Sequence, residues 1–209
     1  MRSYIVVLLL VIGGALVARA AEKPKLHPPT LAEAQAVQQQ GRYLATITLK
    51  NDQQITVVLE GAYMPFTVAN FVNLAQAKFY DGLTFHSLVD DFIVQGGDPK
   101  ANGYGGPGYT IKLEVNLFLS HKPGAISMAR HTDLNSAGSQ FFFTLPTISK
   151  EKTGFLDGRY AVFGWVKSGL EIVGKLYQGE KMKSVTVAPY DGKEDCPILA
   201  EDMKDTKTK

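Results

Sequence analysis

The four histidines, His27, His86, His121 and His131, share no spacing that would let them hold a metal, and no zinc or iron site is expected from them. Ser139 lies in Ala137-Gly138-Ser139-Gln140-Phe141, which is not the Gly-x-Ser-x-Gly elbow of a nucleophile. Gly103-Tyr104-Gly105-Gly106-Pro107-Gly108 formally satisfies Gly-x-Gly-x-x-Gly. A dinucleotide loop, however, must open a helix whose amino terminus meets the phosphates, and residues 109–115 read as extended. That stretch is read as a surface loop that needs glycine for unusual dihedrals. Cys196 precedes Pro197 near a polar end with no histidine close by in sequence, so a free structural thiol is expected. No cofactor is called for, and no acid-base pair stands out.

One reaction needs neither a nucleophile nor an acid-base pair. Rotating an Xaa-Pro peptide bond between cis and trans breaks no covalent bond, and its barrier of ~18 to 20 kcal/mol comes from amide resonance. A catalyst has only to favour the twisted amide. An apolar pocket for the proline ring, donors for the carbonyls and a donor aimed at the amide nitrogen are sufficient. Aromatic and amide side chains on a rigid frame can supply most of these.

That frame reads as mainly β. Residues 43–49 and 55–59 alternate about a polar turn and form a hairpin. Pro65 opens a helix in which Val68, Phe71, Val72, Ala75 and Phe79 recur at helical spacing, ended by Asp81-Gly82. A second helix is expected over residues 170–177, with Gly179 as its stop signal. Further strands are expected at 83–86, 93–95, 110–113, 125–128, 141–144, 161–166 and 184–187. Strands and helices do not alternate, which argues against a parallel sheet. Periodicity alone leaves a sandwich and a closed antiparallel barrel with two helices both open.

Three blocks resemble the cyclophilins: Phe85 to Asp98; Gly124 to Arg130 continuing through Ser139-Gln140-Phe141-Phe142; and Phe155-Leu156-Asp157-Gly158 with Ala161-Val162-Phe163-Gly164. The resemblance covers roughly Tyr43 to Val187 and implies a closed eight-stranded antiparallel barrel with two capping helices. It also implies peptidyl-prolyl cis-trans isomerase activity on proline-containing polypeptides. By the same resemblance Phe92, Ile93, Phe142 and Leu156 form the proline pocket, and Gln95 and Gln140 are its hydrogen-bonding glutamines. Gly103, Ala129, Arg130 and His131 match the rim along which the substrate backbone lies. Three positions depart from the common pattern. Phe155 stands where many members carry tryptophan, which implies weak cyclosporin binding through loss of the indole donor. Tyr160 replaces a histidine common in eukaryotic members. Ser87 stands where the family usually has arginine, and serine offers no guanidinium fork to the amide nitrogen. An isomerase slowed at Ser87 is therefore expected, with a non-catalytic proline-peptide binder or chaperone module as the alternative. A barrel-shaped carrier of small molecules is a further reading, which a packed interior would exclude.

The chain has 209 residues, 45% hydrophobic, and a net charge of +2, which suits one domain plus extensions. Basic and acidic residues nearly balance and no basic cluster is interleaved with aromatics, so nucleic acid is not an expected partner; a monomer is expected. Residues 1–20 have the pattern of an export signal or amino-terminal anchor: Arg2, an apolar run, then Ala18-Arg19-Ala20. This places the protein outside the cytoplasm, in a periplasm or equivalent lumen, and leaves membrane attachment open. Residues 21–41 are expected to form a linker in which Thr30-Leu31-Ala32-Glu33, a capping-box pattern, starts a short helix. The domain is expected over 42–197 and a charged, disordered tail over 198–209.

Overall fold

The computed structural model describes residues 25–199, so the expected export segment and most of the expected tail lie outside the described residues. Helix α1 (Leu31–Gln40) starts with the capping box: Glu33 N donates to Thr30 Oγ1 and Thr30 N to Glu33 Oε2. Asn73 Nδ2 also donates to Glu33, which ties α1 to α2 (Pro65–Gln76). Burial alone would raise the Glu33 carboxyl, but these donors, led by Thr30 N, hold it below its ordinary range. The segment read as a linker is thus partly packed, with Ala34 and Val37 buried.

Among the described residues, eight strands form one antiparallel sheet. They are β1 (Arg42–Leu49), β2 (Gln54–Glu60), β3 (Phe85–Val89), β4 (Ile93–Gly96), β5 (Ala125–Met128), β6 (Phe141–Thr144), β7 (Val162–Ser168) and β8 (Met182–Tyr190). Their order is β3-β4-β6-β5-β7-β2-β1-β8. The expected closed barrel is not what forms: the curled sheet stays open between its edge strands β3 and β8. Among the described residues, only the Thr84–Lys181 bridge and a few backbone bonds, such as Phe85 N to Glu180 O at 2.8 Å, join the segments leading into those edges.

The concave side is filled. Phe71 of α2 packs on Tyr80, Phe141 and Phe163, with ring centroids 5.0, 5.6 and 5.5 Å away, and Ile47, Ile55, Phe85 and Phe143 are fully buried around them. This packed interior leaves no room for the carrier reading.

Four other expectations need correction. Residues 110–113 form only the isolated bridge Ile111–Ala137, because Leu113 N donates to Asn135 Oδ1 instead of a neighbouring strand. The second expected helix is the single turn α4 (Leu170–Val173); beyond it Lys175 N and Leu176 N make tighter bonds to Ile172 O and Val173 O. A short helix not expected from sequence, α3 (Lys150–Leu156), follows Ser149, whose hydroxyl caps Lys152 N. This makes four helices among the described residues, where one in the linker and two in the domain were expected. Ile198 and Leu199, assigned by sequence to the tail, are buried in the core, and Ser120 N donates to Ile198 O at 2.9 Å. Cys196 is buried beside Glu60, and burial first, then the Glu60 charge, pushes its thiol up to about 12, so it is inert at neutral pH.

Candidate active site

The alternation of β6 divides three consecutive phenylalanines between two environments. Phe141 and Phe143 enter the main core, while Phe142 turns to the convex face. There it forms a small apolar cluster with Ile148 and Leu156, against which Phe92, Ile93, Ala129 and Tyr160 pack. The Tyr160 ring meets Phe142 edge-on at 5.9 Å, and the Arg130 guanidinium sits 4.7 Å over Tyr160. Arg130 also donates to the Arg159 and His131 carbonyls, so its head is already held in place.

This cluster floors a groove of ≈ 780 Å³. Gln95 and Gln140 form one wall: Gln95 Nε2 donates to Gln140 Oε1 at 2.7 Å, and Gln140 Nε2 donates to the Gly103 and Gly105 carbonyls at 2.9 and 2.8 Å. Among the described residues nothing donates to Gln95 Oε1, which is left to accept a bond from a bound chain. The glycine loop is held from beneath by Asp98. Burial alone would raise this carboxyl, but the N–H groups of Lys100, Gly105, Asn102 and Gly103 hold it below its ordinary range. Gly105 is required here, because a side chain at that position would run into the Asp98 carboxylate. Opposite, Tyr104 stacks on His131 at 5.5 Å, bridging the two rims of the groove.

All the expected site residues but one line this groove: Phe92, Ile93, Gln95, Gly103, Ala129, Arg130, His131, Gln140, Phe142, Phe155, Leu156 and Tyr160. Ser87 does not. Its backbone pairs with Gln95, which sets both side chains on the same face of the sheet, but serine is too short to reach the groove. The family model described as cyclophilin type peptidyl-prolyl cis-trans isomerase/CLD matches residues 44–193. The chain belongs to the cyclophilin family.

Peptidyl-prolyl cis-trans isomerase B of Bacillus subtilis is 45% identical over 140 residues, which cover 66% of this chain and 94% of that protein. A Helicobacter pylori peptidyl-prolyl cis-trans isomerase is 44% identical over 124 residues, 58% of this chain and 72% of that one. Among solved structures, a Cryptosporidium parvum cyclophilin type peptidyl-prolyl cis-trans isomerase superposes with a TM-score of 0.64 at 25% identity, over 72% of this chain and 99% of that one. A second structure of that protein, determined in the presence of the dipeptide Ala-Pro, superposes with a TM-score of 0.59.

Behind the groove of this cyclophilin lies an arrangement that the sequence did not suggest. His121 Nδ1 meets Asp157 Oδ1 at 2.7 Å, its Nε2 meets Ser127 Oγ at 3.0 Å, and its ring stacks on the back of Phe142 at 5.8 Å with only 10° between the planes. Burial lowers the His121 pKa, with Asp157 opposing. Ser127 is fully buried, so the trio holds the groove floor and offers no nucleophile to solvent. Asp157 lies 36 residues from His121, a pairing to which no local pattern points. His86, beside Ser87 in the Phe85 to Asp98 block, contributes differently. Both ring nitrogens of His86 are buried and, among the described residues, make no hydrogen bond; burial lowers its pKa despite Asp98, Thr84 and Gln140 nearby.

Proposed function

We propose that this cyclophilin catalyses cis-trans isomerisation of Xaa-Pro bonds in unfolded polypeptides outside the cytoplasm and so assists their folding, acting as a monomer at a rate limited by Ser87. The observation that carries this reading is the convergence of Phe92, Ile93, Phe142 and Leu156 on one apolar floor beside Gln95 and Gln140. A proline ring seated there leaves its amide exposed to the glutamine wall, where Gln95 Oε1 accepts from the substrate backbone while Gln140 keeps the glycine loop in place. Holding the carbonyls and the ring in the twisted geometry favours the transition state over either planar isomer. The missing element is a donor to the amide nitrogen, which regains its lone pair as resonance is lost.

The test is the isomerisation rate of an Xaa-Pro tetrapeptide, read by NMR exchange. We expect acceleration over the uncatalysed rate, and a rate equal to it at high protein concentration overturns the reading. Ser87→Arg would carry a guanidinium past Gln95 into the groove and should raise kcat/KM by roughly 10² to 10³, the worth of one preorganised donor. A specific observation favours a second reading, a proline-peptide binder: Ser87 is the one expected site residue outside the groove lining. That reading holds if the tetrapeptide binds without turnover and Ser87→Arg creates the activity. Phe155 keeps the apolar wall without an indole donor, so cyclosporin should bind weakly. Export is read from residues 1–20 alone, and detection of the protein only in the cytoplasmic fraction of its cell would overturn it.

A further inference from the structure

Beyond the α3 end of the groove, Asn116-Leu117-Phe118-Leu119 forms a tight turn closed by Leu119 N donating to Asn116 O, with Asn116 Oδ1 also accepting from Phe118 N. The two central positions of such a turn usually carry glycine, proline or small polar residues. Here they carry Leu117, 76% exposed, and Phe118, 45% exposed. The turn is held rather than loose: Asn116 Nδ2 reaches Tyr63 O, and Leu119 is anchored in the core. Leu117 in particular leaves most of its apolar surface in water, and local choices that break the turn rule with little structural return mark functional surface.

The tip of the turn adjoins the segment that follows the groove wall. A methyl group at Gly158 would lie 3.6 Å from Leu117 Cδ2, so Leu117 leans over Gly158, whose φ of +73° keeps that position small. Three residues before Gly158 stands Phe155, 58% exposed, which lines the groove itself. Leu117 and Phe118 thus stand beside the short segment that leads back to Phe155 on the groove wall, where the Arg159 guanidinium lies 5.1 Å from the Phe155 ring, and these exposed apolar side chains make up a strip.

We propose that this strip is an extended binding surface for apolar side chains of an unfolded client polypeptide whose proline occupies the groove. It rests on the reading of the groove given above. A tetrapeptide is consumed by the groove, whereas a longer unfolded chain lies across the strip and gains apolar burial there. The protein would then favour prolines that have a bulky apolar residue a few positions away.

Leu117→Asp and, separately, Phe118→Asn test this; both sites are exposed, and neither residue touches the groove floor. The measurements are kcat/KM on an Xaa-Pro tetrapeptide and Kd for a permanently unfolded, proline-containing polypeptide. Expected is an unchanged tetrapeptide rate with polypeptide binding weakened about tenfold by Leu117→Asp, as loss of one well-buried leucine implies. Equal polypeptide affinity in wild type and both variants overturns the proposal. So does a wild-type dimer in sedimentation that Leu117→Asp dissolves with no change in polypeptide affinity, because the strip would then be covered by a second copy. If the tetrapeptide is not turned over, isomerase activity fails while the polypeptide comparison still decides the strip.

Discussion

The two faces of the β4–β6–β5 ladder are built from the same kinds of residue and serve opposite ends. On the inner face Val94, Phe141 and Phe143 join a core enclosed by α2 and the whole sheet. On the outer face Ile93, Gln95 and Phe142 meet only Ile148, Leu156 and the loops around them. Sheet alternation therefore produces a core on one side and, on the other, a small apolar cluster in which Phe142 and Leu156 are buried while Ile93 and Phe92 stay partly open to the groove. The inner face is complete and can only be damaged, whereas the outer face lacks a top layer that a bound proline supplies.

The strongest way to break this comparison is to delete the same ring from each face. Phe143→Ala leaves an enclosed cavity and should cost about 3 to 5 kcal/mol in urea unfolding. Phe142→Ala opens its cavity to the groove, so the stability loss should be smaller, while kcat/KM on an Xaa-Pro peptide should fall by roughly 10² or more as the floor disappears. Equal stability losses with activity retained in Phe142→Ala would remove the distinction between the faces.

How visible the two faces were from sequence follows the same divide. Strands β5 and β6 were expected over the residues that form them, because short apolar runs between turn signals read plainly as buried strands. The capping box at Thr30 and Glu33 was equally plain. The groove residues, by contrast, were named only through family resemblance, since nothing in a run of three phenylalanines says which one faces out. What stayed hidden depends on tertiary bonds. Glu114 accepts from Phe66 N and Thr67 N at the start of α2, and Asn135 takes Leu113 N, so residues 110–113 spend their polar groups outside any ladder. The register shift between Phe85 and Ser87, which sets Ser87 opposite Gln95, is likewise beyond a strand pattern.

The His121 network sharpens the comparison at a smaller scale, because it supports the outer face from behind. His121→Leu keeps the ring's volume roughly but strands the fully buried Ser127 hydroxyl, while Asp157, partly exposed, keeps the residue-121 backbone N–H, so the change should cost about 1 to 3 kcal/mol of stability. If the network positions the floor, KM for an Xaa-Pro peptide should rise more than kcat falls, and His121→Gln, which can still bond Ser127, should recover part of the loss. A variant that loses stability with KM unchanged would show that Phe142 holds its place through packing alone.

The gentlest probe is pH, because His121 and His86 are both held neutral by burial, with pKa values below the ordinary 6.5. The unfolded chain takes up protons near pH 6.5 that the fold refuses. The stabilisation is therefore full above that value and is lost as pH falls below it, at no more than about 1.4 kcal/mol per pH unit for each histidine. Protonating His121 would give its ring two N–H donors, one facing Ser127 Oγ and one facing Asp157, where the neutral ring has one. The low-lying carboxylates do not confuse the reading. Asp98 is held below its ordinary 3.8, so its contribution persists above that value and is lost only as pH falls through its still lower folded value. Unfolding free energies at pH 7.5, 6.5 and 5.5 should thus decline toward the acid end, and less steeply in His121→Gln, which removes the outer-face share and leaves that of His86. A flat profile across this range would mean that neither ring is kept neutral by the fold, and an unchanged slope in His121→Gln would assign the effect to His86, beneath the groove wall, rather than to the floor.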